Sequence, residues 1–525
     1  MTLSRRILFA VFAGWVNRIL MIALNLIFIR VLFRYLGLEE QGFWVLLGSS
    51  AAFLSLMDLG VSPTLTRRIA LARGKSGADV HAVLTKETRE EIADLVATGS
   101  RVYRMIAILV FLVSWSLGFY FLSTVKFHDV DPKQVWIAWT ILCAGYAINV
   151  WGQVWQCLLN GIGLVGWNSV IDTAVNTLAV GIQIILVIKG GGILQLAVVA
   201  AGSGLLARQL NLIIARRTNP VIFGQRGKWS PALFNIMLSP SLRYWITNLG
   251  AFLILKTDQF FISYFLDTTQ IPPYNAAYSI VSNIFLFSVS IASGSAVYIS
   301  HLWQSNQIAQ VQAITRRSAR IGMTMMVCGI ACIAVAGQPL IELWLGATRH
   351  GQATFVGYPV LWTFCFMLTL ETHHSIMSSC SRATEDEAYA IPAVTSGVFN
   401  LILTYLLIKP FGLLGVAMGT AIAQLLTNNW YAVYRPLRRL RMSVREHILH
   451  VMLPILGIFL IATGLGWVAV QLSVSFQSNL LTVCNTTLVT VSVLGLSVWF
   501  YGLSATDRVR VHQRLGQYLG RKVAT

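Results

Sequence analysis

Charge is what this sequence has least of. Only 11% of its 525 residues are Asp, Glu, Lys or Arg, where a soluble globular chain carries about a quarter. That shortage excludes an ordinary water-soluble protein of this length and places most of the chain in lipid. Acidic residues are the scarcest, 20 against 39 Lys and Arg, for a net charge of +19. No soluble basic domain exists to carry that excess, which sets nucleic-acid binding aside. Cysteine is sparse and scattered: Cys143, Cys157, Cys328, Cys332, Cys365, Cys380 and Cys484 form no CxxC, and only Cys328 and Cys332 share a helix face. Neither a disulfide framework nor a metal site follows, and these residues read as small packing groups. A Walker A motif is missing, which argues against direct use of ATP. The longest polar stretch, Thr66–Arg104, is too short for a catalytic domain. After Arg5-Arg6 no small-residue cleavage site follows, so the first apolar run reads as a retained span and not a signal peptide.

What the chain has is hydrophobic length. Its residues are 56% hydrophobic and its mean hydropathy is +0.68. Apolar stretches of about 20 residues, the length that crosses a bilayer, recur at Ile7–Phe33, Glu40–Val61, Met105–Thr124, Val135–Leu158, Ser169–Ile188, Ile193–Ala215 and Tyr244–Leu266. They continue at Asn275–Ile299, Ile321–Leu343, Val356–Cys380, Ala388–Ile408, Leu413–Tyr434, Ile448–Gln471 and Leu481–Leu503. The expectation is an all-α polytopic membrane protein of about fourteen transmembrane helices. Charge between the spans supports the count: 29 Lys and Arg fall on one side and seven on the other, with Arg18, Arg208 and Lys256 inside helices. By the positive-inside rule both termini are expected to be cytoplasmic. Thr88-Arg89-Glu90-Glu91 reads as a capping box opening a short helix, and Trp229-Ser230-Pro231 as an N-cap with Pro at the first helical position. Both are expected to be solvated or headgroup-facing connectors.

A repeat of about 220 residues organises the spans. Ile188-Lys189-Gly190-Gly191-Gly192-Ile193-Leu194-Gln195-Leu196-Ala197 lines up with Ile408-Lys409-Pro410-Phe411-Gly412-Leu413-Leu414-Gly415-Val416-Ala417, each at a hairpin between helices. Both copies run in the same sense, which implies two pseudo-symmetric six-helix lobes about an axis along the membrane normal. The domains expected are an N-terminal lobe over 1–217, a cytoplasmic linker with an interfacial helix over 218–243, a C-terminal lobe over 244–435, and two further helices with a basic tail over 436–525.

Polar groups at bilayer depth are costly and so mark candidate sites. Arg18 and Lys256 fall near the middle of the first and seventh spans, with Arg208 in the sixth. Asn25 shares a face with Arg18; Asn248, Lys256, Gln259 and Ser263 make one broad stripe, with Asp258 at its edge. Asn149, Gln153, Gln156 and Asn160 stripe the fourth span; Asp172, Asn176 and Gln183 the fifth; Asn283 with three serines the eighth; Glu371, His374, Ser375 and Ser378 the tenth. Such stripes fit a hydrated cavity, in which the cations hold a diphosphate and the amides hold sugar. The competing reading is that Ser and Asn stripes glue helices together, that Arg208 snorkels, and that Arg18 and Lys256 pair with Asp258 or Glu371. The His373-His374 pair lacks a third ligand, so no metal is expected, and no cofactor.

The Arg-bearing first helix, Tyr35-Leu36-Gly37-Leu38-Glu39-Glu40-Gln41-Gly42-Phe43-Trp44, Leu56-Met57-Asp58-Leu59-Gly60-Val61, Asp258-Gln259-Phe260-Phe261-Ile262 and Pro273-Tyr274-Asn275-Ala276-Ala277-Tyr278 together resemble the polysaccharide transporter family. That family includes the O-antigen (Wzx-type) flippases, within the multidrug/oligosaccharidyl-lipid/polysaccharide exporter superfamily. The resemblance implies two six-helix lobes, alternating access, and an undecaprenyl-diphosphate-linked oligosaccharide carried across the membrane for surface polysaccharide. It implies cationic lumen residues at Arg18 and Lys256, to which Arg208 is added here, and Asn25, Asn149, Gln153, Asn248, Gln259 and Asn283 as polar lumen. Asp258, Glu371 and Asp172 are candidates for ion coupling. Implied partners are the lipid-linked cargo, membrane lipids, and a polysaccharide polymerase and chain-length regulator. The alternatives are a multidrug–cation antiporter or a lipid II flippase of the same superfamily. A membrane-embedded polymerase or ligase enzyme fits less well, because the outer loops are only about ten residues long and such enzymes carry a large one. The long loop between the second and third spans departs from the family pattern.

Overall fold

The computed structural model describes residues 3–503 except 57, 76–83, 219, 224, 226, 305, 347–353, 385, 387 and 475–477, together with 508–509; the side chains of 1–18, 51–56 and a number of later positions, most of them between 219 and 304, lie outside that description. The described chain is helical, with no strand among its described residues. In order come α1 (Leu3–Tyr35), α2 (Leu38–Leu56), α3 (Val61–Gly74), α4 (Lys86–Thr124), α5 (Pro132–Gly161), α6 (Val165–Ile188), α7 (Ile193–Thr218), α8 (Pro220–Phe223), α9 (Pro231–Leu255) and α10 (Asp258–Phe265). Then follow α11 (Ile271–Gln304), α12 (Ile308–Leu345), α13 (Tyr358–Arg382), α14 (Ala390–Gln424), α15 (Trp430–Arg439), α16 (Val444–His447), α17 (Leu453–Val474) and α18 (Asn479–Ser497). π-Helical turns at Leu425–Asn429 and Ile448–Met452 lead into α15 and α17. Among the described residues, eight helical stretches are long and apolar enough to cross a membrane, which makes this a multi-pass membrane protein. One of the eight, Ala390–Arg439, contains two of the expected spans. The chain divides into two compact units, one up to Pro272 and the other from Pro273.

In the first unit the described residues flanking 76–83, in the stretch expected as a polar connector, form packed helix. Leu65 and Ile69 of α3, Ile92, Leu95 and Tyr103 of α4, and Leu158 and Leu159 of α5 form one buried core. The apolar residues of 88–104 recur at helical spacing, so α4 continues the third span backward through 39 residues. At 1.5 Å per residue that is about 58 Å, nearly twice the hydrocarbon thickness of a bilayer. The helix opens earlier than its capping box suggests: Thr85 is the N-cap, its hydroxyl accepting from the Thr88 N–H at 3.2 Å. Ser230 caps α9 as expected, accepting from the Leu233 N–H. The described residues just before it are tied to α4. The Lys228 N–H donates to Asp94 at 2.6 Å and the Ser230 N–H to Thr98 at 3.2 Å. Gly227 lies so near the Ala93 carbonyl that a Cβ there would sit 2.1 Å from the oxygen.

Two neighbouring carboxylates at the start of α2 reach two different turns. Glu39 accepts the backbone N–H groups of His128, Asp129 and Val130 at 2.7, 2.6 and 3.1 Å, in the turn before α5. Glu40 accepts the Ile193 N–H at 2.8 Å, at the first residue of α7.

The two aligned segments of the repeat are both hairpins. Gly190 closes the α6–α7 turn at φ +87°, and Gly412 breaks α14 at φ +56°. After Gly412 the chain doubles back, so that Thr404 and Thr420 both donate to Asn400 Oδ1 at 3.0 Å. In the second unit Asp386, before α14, accepts from Arg435 Nη2 at 3.0 Å, Arg435 Nε at 3.1 Å and Ser381 at 2.8 Å. Burial opposes the charge of Asp386, but the hydrogen bonds from Arg435 and Ser381 outweigh it and hold the carboxyl below its usual range.

Candidate functional site

The seventh span is not one helix. Lys256 adopts φ −128°, ψ 0°, which ends α9 at Leu255, and α10 starts afresh at Asp258. The single stripe expected of Asn248, Lys256, Gln259 and Ser263 is therefore divided. Lys256 is exposed at the break and Asn248 half-buried. Thr257, Asp258, Gln259 and Ser263 are buried, and Gln259 Oε1 has no hydrogen-bond partner. Arg18 lies in α1, its side chain outside the described ones; Asn25, seven residues on, is exposed.

Four other expected residues meet around one opening. A cavity of about 330 Å³ between α5, α6 and α7 is lined by Asn149, Gln153, Asp172 and Arg208, with Gln156, Asn176, Ser203 and Asn211 beside them. Small residues make the site by letting α5 and α7 approach closely. A Cβ on Gly145 would sit 2.5 Å from that of Ala201, and one on Gly152 would sit 2.5 Å from Arg208 Cγ. The Arg208 stem thus crosses α5 where no side chain stands. Its guanidinium then lies 4.4 Å from the centre of the Trp151 ring, with Arg104 at 5.7 Å from the same ring. An indole face stabilises a guanidinium by about 1 kcal/mol or more once water is excluded.

Two groups on this wall have unmet demands: Arg208 Nε and Asn211 Oδ1 are buried without hydrogen-bond partners. Each such atom costs about 1–3 kcal/mol unless water or a ligand meets it. No ion pair within 4 Å joins Asp172 to Arg208 among the described residues. The cavity therefore presents a cation, an acid and several amides, with room for about ten waters. It suits a hydroxyl-rich or anionic guest, and Asp172 is a group able to take a proton or a small cation.

The second unit gathers its polar groups differently. Ser375 donates to Glu371 Oε1 at 3.3 Å, and His374 Nδ1 lies 3.3 Å from Asn429 Oδ1 and 3.7 Å from Glu371 Oε2. Asn429 ends a π-helical turn, a distortion frequent at functional sites. His373 Nε2 and His447 Nε2 are 2.9 Å apart, so one ring donates and the other accepts. Asn283 in α11 is half-buried, its Nδ2 without a partner. A separate apolar cavity of about 690 Å³ runs between α12, α13 and α17, walled by Val327, Trp362, Phe366, Phe459 and Trp467 and reaching His373. No group of three or more His, Cys, Asp or Glu able to hold a metal occurs among the described residues.

Sequence reading missed Trp151, Arg104, Asn211, Asn429 and His447. The aromatic clamp had no visible signal, because Arg104 lies outside the expected third span and its helix was not expected to reach Trp151. Asn211 had one: it follows Arg208 by three residues and so shares its face.

Residues 11–303 match the family described as Polysaccharide biosynthesis protein. Among curated proteins, the chain is 25% identical over 179 residues to a probable low-salt glycan biosynthesis flippase, Agl15, of Haloferax volcanii, covering 34% of this chain and 37% of that protein. It is 22% identical over 248 residues to a probable flippase, AglR, of the same organism, covering 45% and 50%. The chain thus spans half or less of the length of these relatives. Its fold is similar to that of the lipid II flippase MurJ in an inward closed conformation, with a TM-score of 0.69 at 16% identity, covering 98% of this chain and 100% of that one. It is also similar to an inward-facing multidrug resistance MATE transporter of the MOP superfamily, with a TM-score of 0.64 at 12% identity over 80% and 94%.

Proposed function

Because the chain belongs to the polysaccharide biosynthesis protein family, we propose that it is a flippase. In this reading it carries an undecaprenyl-diphosphate-linked oligosaccharide from the cytoplasmic to the periplasmic leaflet of a bacterial inner membrane, by alternating access and without enzymatic catalysis. The observation that carries the reading is the α5–α6–α7 cavity, where Arg208 lies among five amide side chains. A guanidinium held over the Trp151 ring offers N–H groups to a phosphate, and the amides suit sugar hydroxyls. The apolar cavity of the second unit offers a surface compatible with a prenyl chain. Lys256, and Arg18 by its position in α1, add positive charge to the path of the diphosphate, and Asn25, Asn248, Gln259 and Asn283 add polar contacts. Asp172 is our leading candidate for the coupling group, with Asp258 and Glu371 behind it. A polymerase and a chain-length regulator would receive the cargo.

The test is translocation of a labelled lipid-linked oligosaccharide in proteoliposomes. Arg208→Ala is expected to lower the initial rate at least tenfold and Arg208→Lys to restore part of it, since Lys keeps the charge but not the fork. Unchanged transport in Arg208→Ala would reject the reading. Asp172 supports a second one, a cation antiporter: drug efflux lost in Asp172→Asn, with oligosaccharide transport intact, would favour it.

A further inference from the structure

Five arginines crowd the segment from α15 to α16, and the fold sorts them into two kinds. Arg435 is bound to Asp386. Arg439 donates to Thr384 and lies 5.2 Å from the centre of the Trp303 ring. Arg438, Arg441 and Arg445 are exposed and make no ion pair among the described residues. The adjacent acid, Glu446, is taken by Arg316 at 2.8 Å.

The exposed three stand on a fixed platform. Gln312 Nε2 donates to the Leu440 carbonyl at 2.7 Å, and the Met442 N–H donates to the Leu437 carbonyl at 2.8 Å. Leu440 and Met442 are buried on either side of Arg441. Arg441 itself has φ +53°, a left-handed conformation in which glycine is the unstrained choice. The chain thus places a guanidinium at a position where glycine would be the unstrained residue. Around it Tyr434, Val444, Ile448 and Leu449 are exposed by 47, 46, 51 and 45%. Val444 also begins one of the eight apolar stretches.

We propose that the α15–α16 turn is a docking site for anionic phospholipid headgroups, on the face that the charge split assigns to the cytoplasm. Phosphate monoanions meet the guanidiniums, and the apolar side chains enter the boundary between headgroups and acyl chains. An acidic polypeptide would satisfy the charge but leave that apolar rim in water, so the membrane is the better match. None of these residues lines the α5–α6–α7 cavity, so this site and the transport reading stand or fall separately.

The full-length protein in neutral detergent is titrated with fluorescent phosphatidylglycerol and, separately, phosphatidylcholine. The triple variant R438Q/R441Q/R445Q is expected to bind phosphatidylglycerol at least tenfold more weakly, and the triple lysine variant to recover most of that loss. Phosphatidylcholine binding and the thermal midpoint are expected to stay unchanged, the latter because the Arg435–Asp386 contact is intact. Wild-type affinity for phosphatidylglycerol in the triple glutamine variant overturns the proposal. So does equal loss for both lipids, or displacement of the lipid by an equal concentration of inorganic phosphate or polyglutamate.

Discussion

Each unit carries polar side chains among apolar helices, and the two sets differ in what lies beside them. In the second unit they face one another: Thr404 and Thr420 converge on Asn400, His373 meets His447, and His374 meets Asn429. In the first unit Asn149, Gln153, Asp172 and Arg208 border open space, and two of the atoms on that wall lack partners. Interhelical hydrogen bonds in membrane proteins contribute only about 0.6 kcal/mol each, whereas a buried polar atom without a partner costs about 1–3 kcal/mol. The second set is not free of that cost, since Glu371 Oε2, Asn429 Nδ2 and His447 Nδ1 also lack partners; what distinguishes the first set is that its polar groups border open space that a guest can fill. Polar stripes that look alike along the chain separate into adhesive and receptive ones once the space beside them is known.

The sharpest way to break this contrast is Arg208→Glu. Reversing the charge removes charge-assisted hydrogen bonds to phosphate, about 1.5–3 kcal/mol each, and adds repulsion. Oligosaccharide translocation in proteoliposomes is expected to fall at least 100-fold with little change in thermal midpoint. Equal losses of transport and stability would mean that Arg208 is adhesive after all. Gly152→Val comes next: its Cβ displaces the Arg208 stem, and transport is expected to drop about tenfold, in line with a misplaced cation. The protein should still elute as a single species in size-exclusion chromatography.

The reverse result is expected in the second unit. His447→Ala leaves the buried His373 ring without its partner, at a cost of about 1–3 kcal/mol. Thermal unfolding in detergent should show the loss, while transport per folded molecule stays within about twofold. The smallest effect concerns acid. The Asp386 carboxyl is held below its usual range, so its contribution to stability is complete above the unfolded value of about 3.9. That contribution fades as pH falls through the lowered native value. Asp386→Asn is expected to lower the thermal midpoint modestly at pH 7 and to flatten its fall below about pH 4, where the wild-type contribution is itself lost.

Apolar length and loop charge announced the helices, because a bilayer demands about 20 apolar residues whatever the fold. The hairpins at Gly190 and Gly412 were visible because a reversed backbone selects glycine. The Asn149–Gln153 stripe, Asp172 and Arg208 were each recognisable, but their convergence was not. It depends on Gly145 and Gly152 admitting α7, a fact about what is missing from a surface. The break at Lys256 escaped notice because no Pro or Gly marks it; the backbone turns there without a residue that requires it. In the first part of α4 the apolar side formed by Ile92, Leu95 and Val96 is legible in the sequence, but its burial against α3 and α5 is not, because those partners are remote along the chain.

Glu39 and Glu40 hold one more consequence. Consecutive residues on a helix point about 100° apart, and here that angle lets one step of backbone fasten two remote turns, each through main-chain amides that only a change to proline in the turns can delete. Removing a single residue between Leu38 and Gly42 would rotate the pair by that same angle. Both fastenings would then open together, so a lesion at one short register would be felt at the entrances to α5 and α7 at once.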